Sequence, residues 1–568
     1  MAVRVSQRLL RALEESMDRG FFNYRQLEEL LGGREEALYT LLEGFALGLY
    51  NIRGEEEFEI RQEGLELLRA WQVAGRPGHD PWIDSRIYTM LYTLEAGGKP
   101  PADWLEILGD RGLADGAGIT EAGRMIVGLV ARLERGLVIT KSMARSLAKA
   151  PDGPARREEY GRFLPVYEAM GLVVGTVPLN PYYSLTLPGR LLARAMRRLN
   201  LDAPLPSVVN PAVIRALERA EAGEELTPEE KTLLGTLGYL KPTGDLDYPG
   251  RLVLEAYRAL RSPWLRPPMA MAARGERLVK AVAAAVEEAR EKPNLTPGKE
   301  LVARKYRELY GEEPGDWLGM DLLHLQSLGL VEEYEEEGKT AYRLTVYGER
   351  LANTPGVGAG SPAPAVKAIT YPYALLSPHV DWVTRGQETG ILGVGGPTRK
   401  GEMLARLSAA PRIPFLTRPE ALALQRIPDE KSIEREAVAR VLEAEGEDPE
   451  AALERLEARG LIETLPDNTV RLTRAGRLIK IALLGVPPGI ATPVYPVLVR
   501  VLQAIRELGT EDLARLVNHT KLTLEAVREA LILARAAKYL GRGGGLTAAG
   551  RTLLEAADLL AGRGEGTL

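Results

Sequence analysis

A six-residue phrase recurs seven times along this chain, and its period limits what the chain can fold into. The phrase is an aliphatic residue, a capping residue, two variable residues, a glycine and usually an arginine. It reads Ile119-Thr120…Gly123-Arg124, Leu185-Thr186…Gly189-Arg190, Leu246-Asp247…Gly250-Arg251, Leu472-Thr473…Gly476-Arg477 and Leu546-Thr547…Gly550-Arg551. Looser copies are Ile60-Arg61…Gly64-Leu65 and Leu344-Thr345…Gly348-Glu349. Most copies lie roughly 60 to 75 residues apart, a period that signals tandem supersecondary units. The 568 residues also exceed what one hydrophobic core holds.

A second signature precedes each phrase. It reads Leu47-Gly48-Leu49-Tyr50, Arg111-Gly112-Leu113-Ala114, Met170-Gly171-Leu172-Val173, Leu237-Gly238-Tyr239-Leu240, Leu328-Gly329-Leu330-Val331 and Arg459-Gly460-Leu461-Ile462. The seventh copy, Ala537-Lys538-Tyr539-Leu540, lacks the glycine. A glycine here reads as a helix C-cap, followed by a strand, a turn and a return strand. The threonine of the phrase then ends the return strand and caps the next helix. Glycine at the third helical position, where a capping box places Glu, costs about 1 kcal/mol relative to alanine. Close approach of that helix turn to the wing or the previous module is the expected compensation.

In the last copy, helical patterns at 497–508, 511–517 and 524–539 precede the hairpin. Three helices followed by a two-stranded wing resembles the winged helix-turn-helix superfamily, here in seven tandem copies. The resemblance implies a mainly α fold with small β wings. Its modules would form an elongated array and pack chiefly on their neighbours. The expected modules are 1–75, 76–136, 137–202, 203–263, 264–354, 426–487 and 488–568. Residues 355–425 break the period and read as one long Gly/Pro-rich, loop-rich insertion.

The chain has no cysteine, which excludes disulfides, thiolate metal sites and a cysteine nucleophile. Scarce Asn and Gln beside abundant Arg and Glu suggest a thermophile. Met1-Ala2-Val3-Arg4 does not open an apolar signal core, so a cytoplasmic location is expected. The uncharged run 481–499 holds Pro487, Pro488, Pro493 and Pro496, and reads as a linker rather than a membrane span.

Formal net charge is −5, so no global positive field draws the chain to nucleic acid. Positive charge gathers locally instead. Residues 124–198 carry 13 basic and 5 acidic side chains. Arg132, Arg135, Lys141, Arg145, Lys149, Arg156 and Arg157 lead this stretch, and Arg194, Arg197 and Arg198 follow. A second basic stretch, 251–280, surrounds Arg266. The insertion carries Lys367, Arg385, Arg399, Lys400 and Arg412, with Tyr371, Tyr373 and Trp382 as stacking candidates. These residues form the candidate RNA-binding set.

The third helices, which would read a DNA groove, are acidic in several modules. The first has Glu35, Glu36 and Glu43, the second Asp103, Glu106 and Asp110, and the fifth Asp316 and Asp321. Such helices repel a phosphate backbone. Only the third and seventh modules suit conventional groove reading. The seventh offers Arg528, Arg535, Lys538 and Arg542 beside Glu525 and Glu529.

The glycine run before Lys400 departs from a P-loop, because Gly401 stands where Ser or Thr is required. Arg399-Lys400 leading into a helix is still a candidate phosphate cradle. The four histidines are His79, His324, His379 and His519. None pairs with another at metal-ligand spacing, and there is no Gly-x-Ser-x-Gly or His-Glu-x-x-His. No enzymatic activity, cofactor or metal is therefore expected, and His324 reads as a packed side chain.

Basic patches outside the reading helices suit shape-based contact with folded RNA. The chain is similar to uncharacterised thermophilic archaeal multi-winged-helix proteins and to ribosome-silencing (hibernation) factors of that kind. That resemblance implies a non-catalytic RNA- or ribonucleoprotein-binding protein that inhibits translation by steric occlusion. Its partners would be ribosomal RNA and ribosomal proteins, with no membrane and no small-molecule substrate. A DNA-binding transcription or chromatin factor is the first alternative, and a protein-interaction scaffold the second.

Overall fold

The recurring phrase is a clasp that closes each wing onto the helix after it. We describe it in a computed structural model. The structure describes all residues except 1–2, 18–20, 54–56, 99, 134–135, 176–181, 206, 262–266, 293, 371–381, 394–395, 466, 542 and 563–568. Thr186 shows the pattern. Its N–H donates to the Leu172 carbonyl at 2.9 Å and its hydroxyl donates to the Gly171 carbonyl at 2.7 Å. The same hydroxyl oxygen accepts the Gly189 N–H at 3.2 Å. Thr120, Thr345, Thr473 and Thr547 make the same three bonds.

The clasp explains both glycines. The first sits in the left-handed region, with φ between +67° and +83° at Gly48, Gly112, Gly171, Gly238, Gly329, Gly390 and Gly460. The second lies against the carbonyl that the threonine N–H holds. A Cβ on Gly189 would overlap Leu172 O, one on Gly348 would overlap Leu330 O, and one on Gly476 would overlap Leu461 O. Close approach of the helix turn to the wing is thus what offsets a helical glycine.

An eighth clasp lies inside the expected insertion. Thr398 N–H donates to Ile391 O at 2.9 Å, and Gly401 N–H donates to Thr398 Oγ1 at 3.2 Å. Helices Ala363–Thr370, Trp382–Glu388 and Arg399–Leu407 occupy this segment. The loop-rich reading of 355–425 is therefore corrected. The segment carries the same helix, turn and capped helix as its neighbours, with very short strands Leu392–Gly393 and Gly396–Pro397.

The chain is mainly helical, with small antiparallel sheets. Contact density divides it into two compact units. The first is 1–264 with 368–378 and 394–396; the second is 265–367 with 379–393 and 397–568. Each holds four clasps, and each repeats one plan. In the first, Arg4–Val5 pairs with Ile83–Asp84, and Ile139–Thr140 pairs with Ser207–Val209. In the second, single bridges replace these strands, Met271 to Ser361 and Leu416 to Val494. These pairings join successive repeats two by two.

The helices after the clasps pack in the same pairs. Gln62–Val73 meets Glu121–Arg132, and Leu187–Met196 meets Tyr248–Arg261. Val346–Ala352 meets Arg399–Leu407, and Arg474–Leu483 meets Ala548–Leu560. The last pair of repeats shares one core, running from Leu416 through Leu453, Leu472, Leu498 and Leu531 to Leu554. Each such leucine contributes about 1.5–3 kcal/mol by leaving water. Neither repeat of this pair closes its apolar face alone.

The wings vary in size. Those at Tyr50–Ile60, Val173–Leu185 and Ile462–Leu472 add a third strand from upstream, namely Phe21–Asn23, Ala155–Arg156 and Ile433–Glu434. The longest hairpin pairs Val331–Glu336 with Lys339–Leu344. At Leu240–Leu246 and Leu540–Leu546 the wing shrinks to one bridge. Among the described residues, no helix is long and apolar enough to cross a membrane. The run 481–499 joins the Arg474–Leu483 and Pro496–Leu508 helices, as a linker would.

Candidate nucleic-acid interface

The candidate basic residues divide by what their cationic heads meet. Two are fully internal. Lys400 is 1% exposed, and its ammonium donates to Glu276 Oε2 at 2.9 Å, Gly360 O at 2.7 Å and Thr389 O at 3.0 Å. Glu276 Oε2 also accepts the Gly358 and Gly360 N–H groups. Arg412, also 1% exposed, donates to the carbonyls of Ala458, Leu328, Ala410 and Pro267. Both expectations of RNA contact are corrected: all three Lys400 protons have partners, and neither side chain reaches the surface. The phosphate-cradle reading of Arg399-Lys400 fails with Lys400, although Arg399 is exposed.

Other candidates are held by their own fold. Lys367 donates to Glu457 at 2.6 Å and to Thr464 O at 2.8 Å. Lys141 donates to Ala203 O at 2.8 Å. Arg197 binds the carbonyls of Ala148 and Ala150 and pairs with Asp152 at 3.3 Å. Arg145 pairs with Asp202 at 2.9 Å, and Arg132 with Glu66 at 2.6 Å. Arg198 lies over the Tyr248 ring, 4.8 Å from its centroid. Arg194 is half-buried. These contacts leave part of each charge open to solvent but fix its direction. Arg135, Arg266, Tyr371, Tyr373, His379 and Arg542 lie outside the described residues, as does the Trp382 side chain.

What stays open clusters in the third repeat. Lys149 ends the Lys141–Lys149 helix, and Arg156 and Arg157 stand at the junction of the Ala155–Arg156 strand with the next short helix. All three are exposed, and among the described residues none forms an ion pair, although Arg156 hydrogen-bonds Tyr182. Arg162, which the sequence reading did not single out, flanks them. It pairs with Glu35 and stacks on Phe163 at 5.2 Å. Glu158 and Glu159 are exposed beside the patch and reduce its field. Arg385 of the second unit is exposed as well.

The second unit also buries a charge cluster that sequence reasoning missed. Arg459 is 1% exposed and Glu420 is 0%. Glu420 accepts from Arg459 at 2.6 Å, from Arg455 at 2.9 Å and from the Thr417 N–H at 3.0 Å. These cations hold its carboxyl below the ordinary carboxylate range against the pull of burial. Arg459 also stacks on Phe415, 4.3 Å from the ring centroid, and lies 3.3 Å from His324 Nδ1. Burial and the surrounding arginines keep His324 neutral, well below its usual pKa. His324 is thus a packed side chain. Arg459 had a weak signal in the sequence: like Arg111, it fills a slot before the left-handed glycine where Leu47, Met170, Leu237 and Leu328 are apolar.

A groove of about 1420 Å³ opens in the second unit between the Val331–Leu344 hairpin and the start of the Leu524–Ala536 helix. Lys299, Arg304, Arg307 and Lys339 line it together with Glu300, Glu333, Glu335, Glu525 and Glu529, so its charges offset one another and select no anion.

The family described as protein of unknown function (DUF505) matches the chain twice, over residues 73–313 and 304–557. An uncharacterised protein of Methanocaldococcus jannaschii is 26% identical over 567 residues, covering 92% of this chain and 94% of its own length. No solved structure matches the chain. The two family matches follow one another along the chain, the first running past the end of the first unit's main segment at 264, and the chain belongs to the DUF505 family, with the family's sequence present in two tandem copies.

Proposed function

We propose that this protein is a non-catalytic binder of structured RNA, and that its target is a ribonucleoprotein, the ribosome first among them. The observation that carries the reading is the open basic edge of the third repeat, Lys149, Arg156 and Arg157, where most of the other candidate cations among the described residues are held by carbonyls and carboxylates of their own fold. Folded RNA is recognised through phosphates and shape, which such an edge suits. The order of helices and hairpin in each repeat supports a winged-helix reading, now with eight repeats in place of seven. The acidic third helices oppose ordinary groove reading. That repulsion comes from exposed acids such as Glu35, Asp103, Glu106, Asp110 and Asp316, because Glu43 is buried and Asp321 is largely so and paired with Arg274.

Sedimentation of cell lysate at low salt tests the proposal. The protein should travel with ribosomal subunits, and the variant Lys149→Glu/Arg156→Glu/Arg157→Glu should remain at the top of the gradient. Wild-type protein at the top would refute the reading. Deleting 355–425 is no clean test, because that segment supplies one half of a packed pair of repeats.

A further inference from the structure

The eighth repeat breaks the rule of the clasp in one place. Seven clasps put glycine at the left-handed position, and the eighth puts Lys538 there, at φ +62°. An L-residue in this region carries strain, and persistent strain of this kind gathers where a side chain is needed. Lys538 is exposed at the C-terminal end of the Leu524–Ala536 helix. On that helix Leu524, Arg528, Ile532 and Arg535 form one solvent-facing stripe at helical spacing. Leu524 is 57% exposed and Ile532 61%.

The equivalent helix of the first unit supplies a control. Gly238 and Lys538 stand the same distance before Gly250 and Gly550. That register places Pro228, Thr232 and Gly235 opposite Arg528, Ile532 and Arg535. At these three positions small or neutral residues in the first unit are matched by cationic or large aliphatic residues in the second, whereas Leu524 falls opposite Glu224.

We propose that this helix face docks an acidic, amphipathic helical segment of a protein partner. Two aliphatic side chains flanked by Arg528, Arg535 and Lys538 complement a helix with an apolar seam and acidic flanks. Arg535 would exchange its present partner, Glu511 at 2.6 Å, for the incoming carboxylates. A nucleic acid backbone fits less well. It gains nothing from Leu524 and Ile532, whereas an apolar seam covers both.

The probe is a helical peptide of Leu and Glu with Leu at i, i+3, i+4 and i+7, titrated against the full chain. A scrambled peptide of equal composition and a DNA duplex serve as comparisons. The patterned peptide should bind at least about tenfold more tightly than the scramble, and Leu524→Ser/Ile532→Ser should lose about tenfold. Lys538→Gly should raise the melting temperature while weakening the peptide several-fold, a pairing that misfolding cannot produce. Equal binding of both peptides, no binding, or a duplex bound more tightly than the peptide and lost in Arg528→Glu would overturn the proposal.

Discussion

Two glycines in one helix show what the clasp costs and why it persists. Gly123 and Gly128 both lie in Glu121–Arg132 with ordinary helical φ. A Cβ at Gly123 would overlap Leu113 O, whereas one at Gly128 meets nothing within 4 Å. Gly123→Ala should therefore destabilise the first unit by about 1–3 kcal/mol, and Gly128→Ala should stabilise it by about 0.4–1 kcal/mol. Calorimetry of the two variants would show melting shifts of opposite sign. Glu43 makes a second case at this scale. It is 3% exposed and accepts the Ser6 N–H at 2.6 Å and the Ser6 hydroxyl at 2.8 Å. Burial pushes its pKa up to about 7, against Arg4, the Ser6 bonds and Arg8. Burial raises Glu168 to about 7 as well, although Arg4 lies 3.0 Å away. Raised carboxyl values mean that the folded state binds the extra protons. The stability they contribute is full below the unfolded value near 4.5 and is lost as pH rises through about 7. Melting of the first unit should fall between pH 5 and pH 8, and Glu43→Gln should flatten that slope. An unchanged slope in the variant would show that Glu43 does not titrate in this window.

At the scale of elements, a buried ion pair ties the fifth repeat to the sixth. Lys400, at the start of Arg399–Leu407, reaches Glu276 in Ala273–Glu291, and both are sealed from solvent. Lys400→Met leaves Glu276 charged and unpaired, at a cost of about 3–5 kcal/mol. Adding Glu276→Gln should return much of it, because the Gly358 and Gly360 N–H groups still find an acceptor. If Lys400→Met alone melts like wild type, the pair is not sealed as described. The clasp was legible because steric contact admits only glycine, and glycine leaves a mark at fixed spacing. The copy at Thr398-Arg399-Lys400-Gly401 kept that spacing after Gly390-Ile391 but carried Pro397 in the aliphatic slot, and its lysine resembled a phosphate ligand. Arg412 was illegible for another reason. Its partners are carbonyl oxygens of Ala458, Leu328, Ala410 and Pro267, which any residue can supply. Backbone acceptors of this kind leave no mark in the sequence.

At the scale of the whole molecule, charge decides how any nucleic acid would be held. The chain is net acidic at −5, so attraction over long range is absent and binding must come from the local edge. At that edge three open cations, Lys149, Arg156 and Arg157, set the counterions released at about three. For single-stranded or looped RNA the slope of log affinity against log salt should then be no steeper than about −2. Affinity would fall by about 20-fold between 50 and 200 mM salt on that slope, far less than for a protein with many phosphate contacts. Neutralising one of the three should reduce the slope by about 0.7, whereas changing Arg197 or Lys141, whose heads are tied to carbonyls, should move it little. Filter binding of a structured RNA across a salt series measures this directly. A slope near −5 would mean that the tied arginines open on binding and that the footprint extends over the whole third repeat. A slope of zero would remove the basic edge from the binding surface and leave the apolar stripe of the eighth repeat as the face to pursue.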